Sequence, residues 1–232
     1  MTYVMSDIHG DYQRYQKMLD LIGFSDTDEL YVLGDVLDRG EEPIRVLEDM
    51  SMRPNVFPIL GNHELMAAWV LRRLCVEVTE DNYAGQIDEK LLEALSLWRM
   101  DGGQTTLDAF QRLSMDDREA VLAYLEEFSP YEELTVGKNR FLLVHGGIAW
   151  DKRHVPMEAQ DIRELVTVRP DYEKRYFDDR YLVTGHTPTH LIPGAQEGLI
   201  LTYNGHIAVD CGAGAGIALG CIRLDDFEEF YV

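Results

Sequence analysis

The sequence predicts a mixed α/β fold, in which a sandwich or sheet of mixed strand direction is flanked by helices. Three patterns support this fold class: short apolar runs rich in β-branched and aromatic residues, segments of helical periodicity, and a strand-rich C-terminal part with turn residues between its strands. The 232 residues are 46% apolar, which is enough to bury a substantial core. We therefore expect a single domain over residues 1–232, with a helical insertion at about 65–135.

The predicted strands of the first part each end in small or polar residues. They are residues 2–6 (TYVMS), 29–34 (ELYVLG), 55–60 (NVFPIL), 140–146 (RFLLVHG) and 180–185 (RYLVTG). Between the first two strands, apolar residues repeat at helical spacing, with Asp11 as a possible N-cap and Gly23 as a stop. A second helix is expected to begin near Pro43, because proline suits the first turn of a helix.

The region from about 64 to 135 changes to a helical pattern. Its apolar residues at helical spacing include Ile87, Leu91, Leu95 and Trp98, and then Val121, Tyr124, Leu125 and Phe128. Ser114 with Asp117 resembles a capping box. After residue 198 the chain is strand-like again, with a turn at Asn204-Gly205. Such closing strands favour a mixed sheet or sandwich over a purely parallel sheet.

The chain is strongly acidic, with 21 Lys and Arg against 42 Asp and Glu, a formal charge of −21. This charge should repel nucleic acids and anionic membranes, so an anionic substrate needs a local positive site, which bound metal ions would provide. The sequence has no signal-peptide pattern and no apolar run long enough to cross a bilayer. We therefore expect a cytoplasmic protein without nucleic-acid or membrane partners. Cys75, Cys211 and Cys221 are interpreted as reduced thiols.

Polar residues with metal-binding side chains follow the predicted strands. They are Asp7 and His9, Asp35 and Asp38, Asn62 and His63, His145, and His186, after the first to the fifth strand respectively. Ligands of α/β sheets bind outside the carboxyl ends of the strands, so these segments can meet. Mixed Asp, His and Asn ligands favour Mn²⁺, with Fe or Zn²⁺ as alternatives. The number of candidate ligands favours two ions, because a carboxylate can bridge two metal centres.

Two further features are given ordinary structural interpretations. His154, His190 and His206 are interpreted as surface or loop residues, because their neighbours repeat no pattern. The glycine-rich run at 211–216 (CGAGAG) has no following helix with an acidic partner. It is interpreted as a tight turn or as close packing against the site, and not as a nucleotide-binding fingerprint.

Five short motifs in order carry a resemblance to a known family. They are Ser6-Asp7-Ile8-His9-Gly10, residues 34–40 (GDVLDRG), Gly61-Asn62-His63-Glu64, His145-Gly146-Gly147 and Gly185-His186-Thr187-Pro188. Together they resemble the phosphoprotein phosphatase family of binuclear metallophosphoesterases, especially the compact bacterial and lambda-phage-type serine/threonine protein phosphatases. The resemblance implies a calcineurin-like metallophosphoesterase fold, a β-sandwich of mixed sheets flanked by helices.

The resemblance also implies roles for individual residues. One divalent ion would be held by Asp7, His9 and Asp35, and the other by Asp35, Asn62, His145 and His186, with Asp35 as the bridge. His63 would be the general acid, Asp38 would orient it, and Arg39 would bind phosphate oxygens. Leu60 stands where the phage-type members carry an arginine. Arg163 is our choice for the second phosphate-binding arginine, with Arg169 as the alternative.

These roles predict a metal-dependent phosphomonoester hydrolase, expected to be a serine/threonine protein phosphatase, in which a two-metal-activated hydroxide attacks phosphorus in line. Its substrate would be a phosphorylated protein or a small phosphoester. The alternative is a symmetrical dinucleoside tetraphosphate hydrolase, which Leu60 before Gly-Asn-His favours. A non-catalytic binding module is disfavoured, because every implied ligand and the acid are present.

Overall fold

The computed structural model describes residues 1–76 and 88–232, in which two five-stranded sheets pack against each other between helices. The strands are β1 (Thr2–Met5), β2 (Glu29–Leu33), β3 (Val56–Ile59), β4 (Glu132–Val136), β5 (Asn139–Val144), β6 (Tyr181–Thr184), β7 (Leu201–Tyr203), β8 (His206–Ala208), β9 (Gly220–Arg223) and β10 (Glu228–Tyr231). The α-helices are α1 (Tyr12–Ile22), α2 (Pro43–Ser51), α3 (Asn62–Cys75), α4 (Glu89–Trp98), α5 (Gln104–Gln111), α6 (Met115–Glu126) and α7 (Ile162–Thr167). The predicted mixed fold class is confirmed.

Both sheets mix parallel and antiparallel strands. The first sheet has the order β10-β9-β1-β2-β3, with β1, β2 and β3 parallel and β9 and β10 antiparallel at one side. The second has the order β4-β5-β6-β8-β7, with β5, β6 and β8 parallel and an antiparallel strand at each edge. The parallel strands of each sheet therefore end on the same side, which brings their following loops together.

Successive side chains of a strand point to opposite faces of its sheet, and this alternation divides the core into layers. Val4 of β1 packs between the sheets against residues of the second sheet such as Phe141 and Val183. Its neighbours Tyr3 and Met5 point to the other face and pack with the helices. This period of two is the usual consequence of strand geometry, and it explains why the central strands are apolar on both faces.

Helix ends match the sequence patterns. Asp11 caps α1 by accepting a hydrogen bond from the Arg14 backbone N–H at 3.0 Å, and Gly23 ends that helix with φ 60°. Helix α2 begins at Pro43, as predicted. Ser114 caps α6 by accepting from the Asp117 N–H at 3.2 Å. Among the described residues, no helix is both long and apolar enough to span a membrane.

Among the described residues, helices α3 to α6 make up most of the insertion, but the prediction that it stays helical to about residue 135 is wrong. Residues 132–136 form β4, an edge strand whose side chains alternate between half-buried and exposed. Its two exposed residues, Glu133 and Thr135, are polar, and so is the half-buried Glu132, so its apolar content is too low to be recognised as a strand. A five-residue π-turn, Arg99–Gly103, joins α4 to α5. Ile87, which belongs to the predicted helical pattern, lies outside the described residues.

The interpretation of His206 as a surface or loop residue is also wrong. It lies in β8 and is fully buried, with its ring centroid 5.1 Å from those of both Tyr172 and Tyr176. Burial lowers its pKa, so the imidazole packs as a neutral aromatic group. His154 and His190 are exposed, as expected.

Candidate metal centre and active site

Seven predicted site residues meet in the loops that follow β1, β2, β3, β5 and β6. We call them the strand-end cluster: Asp7, His9, Asp35, Asn62, His63, His145 and His186. The backbone here is unusual, because six of the eight non-glycine residues with positive φ in the described parts of the chain belong to this region. They are Asp7, His9, Asp35, Asp38, Arg39 and His186, with φ between 48° and 70°. Such conformations cost on the order of 1 kcal/mol each and persist only where the surroundings enforce them.

Glu64 enforces the conformation of the loop after β2. It is fully buried in the first turn of α3, and its two carboxylate oxygens accept four backbone N–H groups. Oε2 accepts from Asp35 at 2.8 Å and Gly61 at 3.1 Å, while Oε1 accepts from Val36 at 2.8 Å and Leu37 at 3.0 Å. One side chain thus ties the loop that carries Asp35 to the start of the helix that carries Asn62 and His63.

Gly61 allows this close approach. A Cβ at this position would lie 2.3 Å from Asp35 Oδ1 and 2.4 Å from the Asp35 backbone nitrogen. Any larger residue would push the carboxylate away from the cluster. The glycine before Asn62 is therefore required by packing, because its φ of −99° is open to any residue.

Two histidines are oriented by backbone carbonyls so that their Nε2 atoms face Asp35. His9 Nδ1 donates to the Leu37 carbonyl at 2.9 Å, and His145 Nδ1 donates to the Leu33 carbonyl at 2.5 Å. The Nε2 atoms lie 3.9 Å and 3.3 Å from Asp35 oxygens. In metal-binding imidazoles, one ring nitrogen typically donates to a fixed acceptor, as Nδ1 does here, and the second is left to face the metal, as Nε2 could here.

Three buried carboxylates concentrate negative charge in the cluster. Asp7, Asp35 and Asp210 are each 3% exposed. Burial and the charge of Asp210 raise the pKa of Asp7, and burial raises the pKa of Asp210 to about 6. Burial also disfavours the charged form of Asp35, but His145 and His63 outweigh it and lower its pKa. Buried carboxylates this close together are costly without cations.

The donor atoms fall into two groups that share Asp35. One group consists of His9, Asp35 and His63, and the other of Asp35, His145 and His186, with the candidate ligand atoms of each group within 4.8 Å of one another. Asn62 Oδ1 lies 3.0 Å from His145 Nε2. Asp7 is tied to the second group, because its Oδ2 accepts from the His186 N–H at 3.0 Å.

The protonation of the histidines is compatible with metal binding. Burial lowers the pKa of His9 to about 3 and that of His186 to about 4, so both are neutral and can act as ligands. Burial disfavours the charged form of His145, but Asp35 and Asp7 outweigh it and raise its pKa to about 10. A divalent cation between the same groups would replace that proton. Chemically, this set of carboxylate oxygens and imidazole nitrogens fits divalent cations.

His63 is held by a buried network that extends into the insertion. Its Nδ1 donates to Asp38 Oδ2 at 2.6 Å. The same carboxylate accepts from Trp98 Nε1 at 2.7 Å and from Thr106 Oγ1 at 2.5 Å. Burial disfavours the charged form of His63, but Asp35 and Asp38 outweigh it and raise the pKa to about 9. Asp38 therefore lies where it could orient His63, as the resemblance implies.

Arg39 lies at the open side of the network. Its Nη2 is 3.2 Å from His63 Nε2 and 3.3 Å from Asp101 Oδ1. Asp101 Oδ2 lies 3.6 Å from the same His63 nitrogen, which offsets the repulsion between the guanidinium and a charged imidazole. The Arg39 backbone N–H donates to the Gly102 carbonyl at 3.0 Å, so the π-turn of the insertion also positions Arg39.

The two candidates for a second phosphate-binding arginine lie outside the cluster. Arg163 is exposed on α7 and lines a cavity that adjoins Asn62. Among the described residues, its guanidinium makes no hydrogen bond to the cluster. Arg169 is also exposed, and its charge contributes to the low pKa of His186, after burial and His145.

Sequence reasoning missed the residues that support the cluster. They are Glu64, Trp98, Asp101, Thr106 and Asp210. Asp210 directly follows β8, so the rule used for the other strand ends would have found it. The interpretation of 211–216 as close packing against the site is confirmed, since a Cβ at Gly214 would lie 2.3 Å from His9 Cδ2.

Comparisons with known proteins agree with this fold. A model of the calcineurin-like phosphoesterase family matches residues 2–210. A symmetrical bis(5′-nucleosyl)-tetraphosphatase of Nitrosomonas europaea is 25% identical over 193 residues, which are 82% of this chain and 59% of that protein. One of Wigglesworthia glossinidia brevipalpis is 32% identical over 98 residues, which are 41% of this chain and 36% of that protein. The chain thus spans between about a third and three fifths of these curated relatives.

Solved structures show the same fold at low sequence identity. A crystal structure described as that of a candidate diadenosine tetraphosphatase is 15% identical, with a TM-score of 0.71 over 100% of this chain and 92% of that one. This likeness concerns the fold alone. Because the family model covers nine tenths of the sequence, the chain belongs to the calcineurin-like phosphoesterase family.

Proposed function

We propose that this enzyme hydrolyses dinucleoside tetraphosphates symmetrically. One water would split the central P–O–P bond and yield two nucleoside diphosphates. The observation that carries the proposal is the likeness to curated symmetrical bis(5′-nucleosyl)-tetraphosphatases, which extends over 82% of this chain in the Nitrosomonas relative. Leu60, in place of the arginine of phage-type protein phosphatases, supports the same substrate class.

In this proposal the strand-end cluster binds two divalent cations, Mn²⁺ first, with Fe or Zn²⁺ as alternatives. The cations would neutralise phosphoryl charge and lower the pKa of the attacking water. Asp7, His9 and Asp35 would hold one ion, and Asn62, His145 and His186 would hold the other together with Asp35. The shared position of Asp35 between both donor groups supports its role as the bridge.

His63 is proposed as the general acid, although its Nε2 lies near one donor group. The Arg39 guanidinium, 3.2 Å from that nitrogen, makes a metal ion at the same position unfavourable. The raised pKa of His63 keeps a proton available for the leaving oxygen of the substrate. Asp38 would hold the ring in place, and Arg39 would bind a phosphoryl oxygen.

The serine/threonine phosphatase prediction shares this chemistry but differs in substrate. Gly146 after His145 and Thr187 after His186 favour it. The relatives support the dinucleotide alternative better, because the curated proteins named above are all symmetrical tetraphosphatases. A phosphorylated protein as substrate has no support from these comparisons.

The experiment compares substrates side by side with Mn²⁺ present. We expect diadenosine tetraphosphate to give the highest kcat/KM, with ADP as the only nucleotide product. The other substrates are p-nitrophenyl phosphate and phosphoserine, phosphothreonine and phosphotyrosine peptides. Release of AMP and ATP, or a preference for a phosphopeptide, would overturn the proposal. His63→Asn is the control for contaminating activity and should lose orders of magnitude in kcat while keeping its metal ions.

We also propose that residues 1–232 act as one domain. Trp98 and Phe110 of the insertion share a hydrophobic cluster with Met5 and Ile8 of the sheet region. The hydrogen bonds from Trp98 and Thr106 to Asp38 add a polar connection. Together these contacts couple the insertion to the site, so we expect both parts to unfold in one transition.

A further inference from the structure

An apolar groove begins at the strand-end cluster and follows helix α3. Its cavity has a volume of about 420 Å³. Asn62, Leu65, Met66 and Trp69 of α3 line it, together with Ala94 of α4 and Arg163, Val166 and Thr167 of α7. We call this cavity the Trp69 groove. Its volume lies in the range of small-molecule sites, and its lining is mainly apolar with a few polar groups.

The groove leads directly away from the candidate metal centre. Residues 62, 65, 66 and 69 repeat at helical spacing, so they form one stripe on α3. Asn62, at the start of the stripe, lies 3.0 Å from His145 in the cluster. Seven helical residues span about 10 Å, so Trp69 lies two turns from the candidate metal ligand. In a nucleoside diphosphate group bound with its terminal phosphorus at the metals, one phosphate and a ribose cover a comparable span before the base.

The far end of the groove offers an aromatic surface. Trp69 is 43% exposed although it is a large apolar side chain. The Arg73 guanidinium lies 5.2 Å from its ring centroid, which restrains the indole from one side. Exposed aromatic rings of this kind stack with nucleobases, and they do so with little preference among bases.

Charge supports the same occupant. The protein carries a formal charge of −21, so most of its surface repels a polyphosphate. Arg163 supplies a positive charge in the lining of the groove. The lining therefore combines a cation with apolar and aromatic side chains. A nucleotide carries the matching groups, a phosphate and a base.

We infer that the Trp69 groove binds one nucleoside diphosphate half of the substrate, with the base stacked on Trp69 and an α-phosphate near Arg163. This inference rests on the proposed function, since it names the subsite that would distinguish a dinucleotide from a simple phosphoester. Trp69 and Arg163 are then specificity residues, which bind substrate away from the reacting phosphorus.

The test compares kcat/KM for diadenosine tetraphosphate with kcat/KM for p-nitrophenyl phosphate, which has no base. We expect Trp69→Ala to lower the ratio of the two values about tenfold or more, because stacking is lost. Trp69→Phe keeps an aromatic ring and should restore most of the ratio. Arg163→Ala should lower the ratio as well. Tyr203→Ala removes an aromatic side chain that is 51% exposed on β7 and is not among the residues that line the groove, and it should leave both activities unchanged.

A second measurement separates the groove from the proposed function. ADP and pyrophosphate are compared as inhibitors of p-nitrophenyl phosphate hydrolysis. If the groove binds a nucleoside, ADP inhibits the wild type at least tenfold better than pyrophosphate does, and Trp69→Ala removes most of this advantage.

The outcomes are distinct. A wild-type enzyme that does not cleave diadenosine tetraphosphate, yet prefers ADP to pyrophosphate, would refute the proposed function and support the groove. Cleavage with the same substrate ratio in Trp69→Ala and wild type would refute the groove and leave the function standing. Equal inhibition by ADP and pyrophosphate in the wild type would also refute the groove, and tight inhibition by phosphopeptides alone would assign it to a peptide.

Discussion

Replacing Glu64 by glutamine should strongly destabilise the protein although the change is nearly isosteric. The carboxylate of Glu64 is fully buried and accepts four backbone N–H groups, two at each oxygen. A glutamine amide has one oxygen and one NH₂ group, and the NH₂ group cannot accept. Whichever way the amide is turned, two buried N–H groups lose their acceptor and face another donor.

The magnitude follows from this count. A buried polar group without a partner costs about 1–3 kcal/mol, so two of them cost about 2–6 kcal/mol of unfolding free energy. Small proteins are stable by only about 5–15 kcal/mol, so the loss is a large fraction of the total. The affinity for Mn²⁺ should fall too, because the same N–H groups hold the loop that carries Asp35.

Urea unfolding of EDTA-treated protein, followed by tryptophan fluorescence, measures this loss without a contribution from bound metal. The matched control is Glu93→Gln on the exposed side of α4, which should change stability by less than about 0.5 kcal/mol. If Glu64→Gln were as stable as the control, Glu64 would not be what enforces the loop conformation.

Three other substitutions separate the charges near the β2 loop. Asp35→Asn should weaken Mn²⁺ binding at least tenfold by titration calorimetry, because Asp35 lies in both donor groups. Asp38→Asn should keep the affinity for Mn²⁺ but lower kcat by about 10²-fold. The loss should be larger for phenyl phosphate than for p-nitrophenyl phosphate, because the nitrophenolate leaving group depends less on a proton from His63. Full activity in both variants would refute the roles proposed for Asp35 and Asp38. Asp101→Asn should tighten inhibition by inorganic phosphate about two- to fivefold, because Asp101, whose side chain is 47% exposed, competes with phosphate for Arg39. Unchanged inhibition would show that the ion pair between Arg39 and Asp101 does not limit phosphate binding.

Much of the fold could be predicted because it depends on local patterns. Strand ends and helix starts agree with the prediction within a few residues, as at Pro43, where the rigid ring suits a first helical turn. The exceptions have physical reasons. Strand β4 lies at a sheet edge and needs few apolar residues, while His206 is a polar residue whose burial depends on two tyrosines from another loop.

The candidate site also has a part that the sequence predicts and a part that it does not. The sequence alone determined which residues gather at the strand ends, because their spacing follows the strands, and all seven members of the strand-end cluster meet there. It could not show that Trp98 and Thr106 hold Asp38, because these two residues lie 60 and 68 positions after Asp38 in the chain. Nor could it show that Glu64 binds the loop before it or that Trp69 faces a groove. Local sequence patterns record the preference of each segment for helix or strand and for burial. Contacts between distant segments depend on how the helices pack on the sheets, and only the tertiary structure decides this packing.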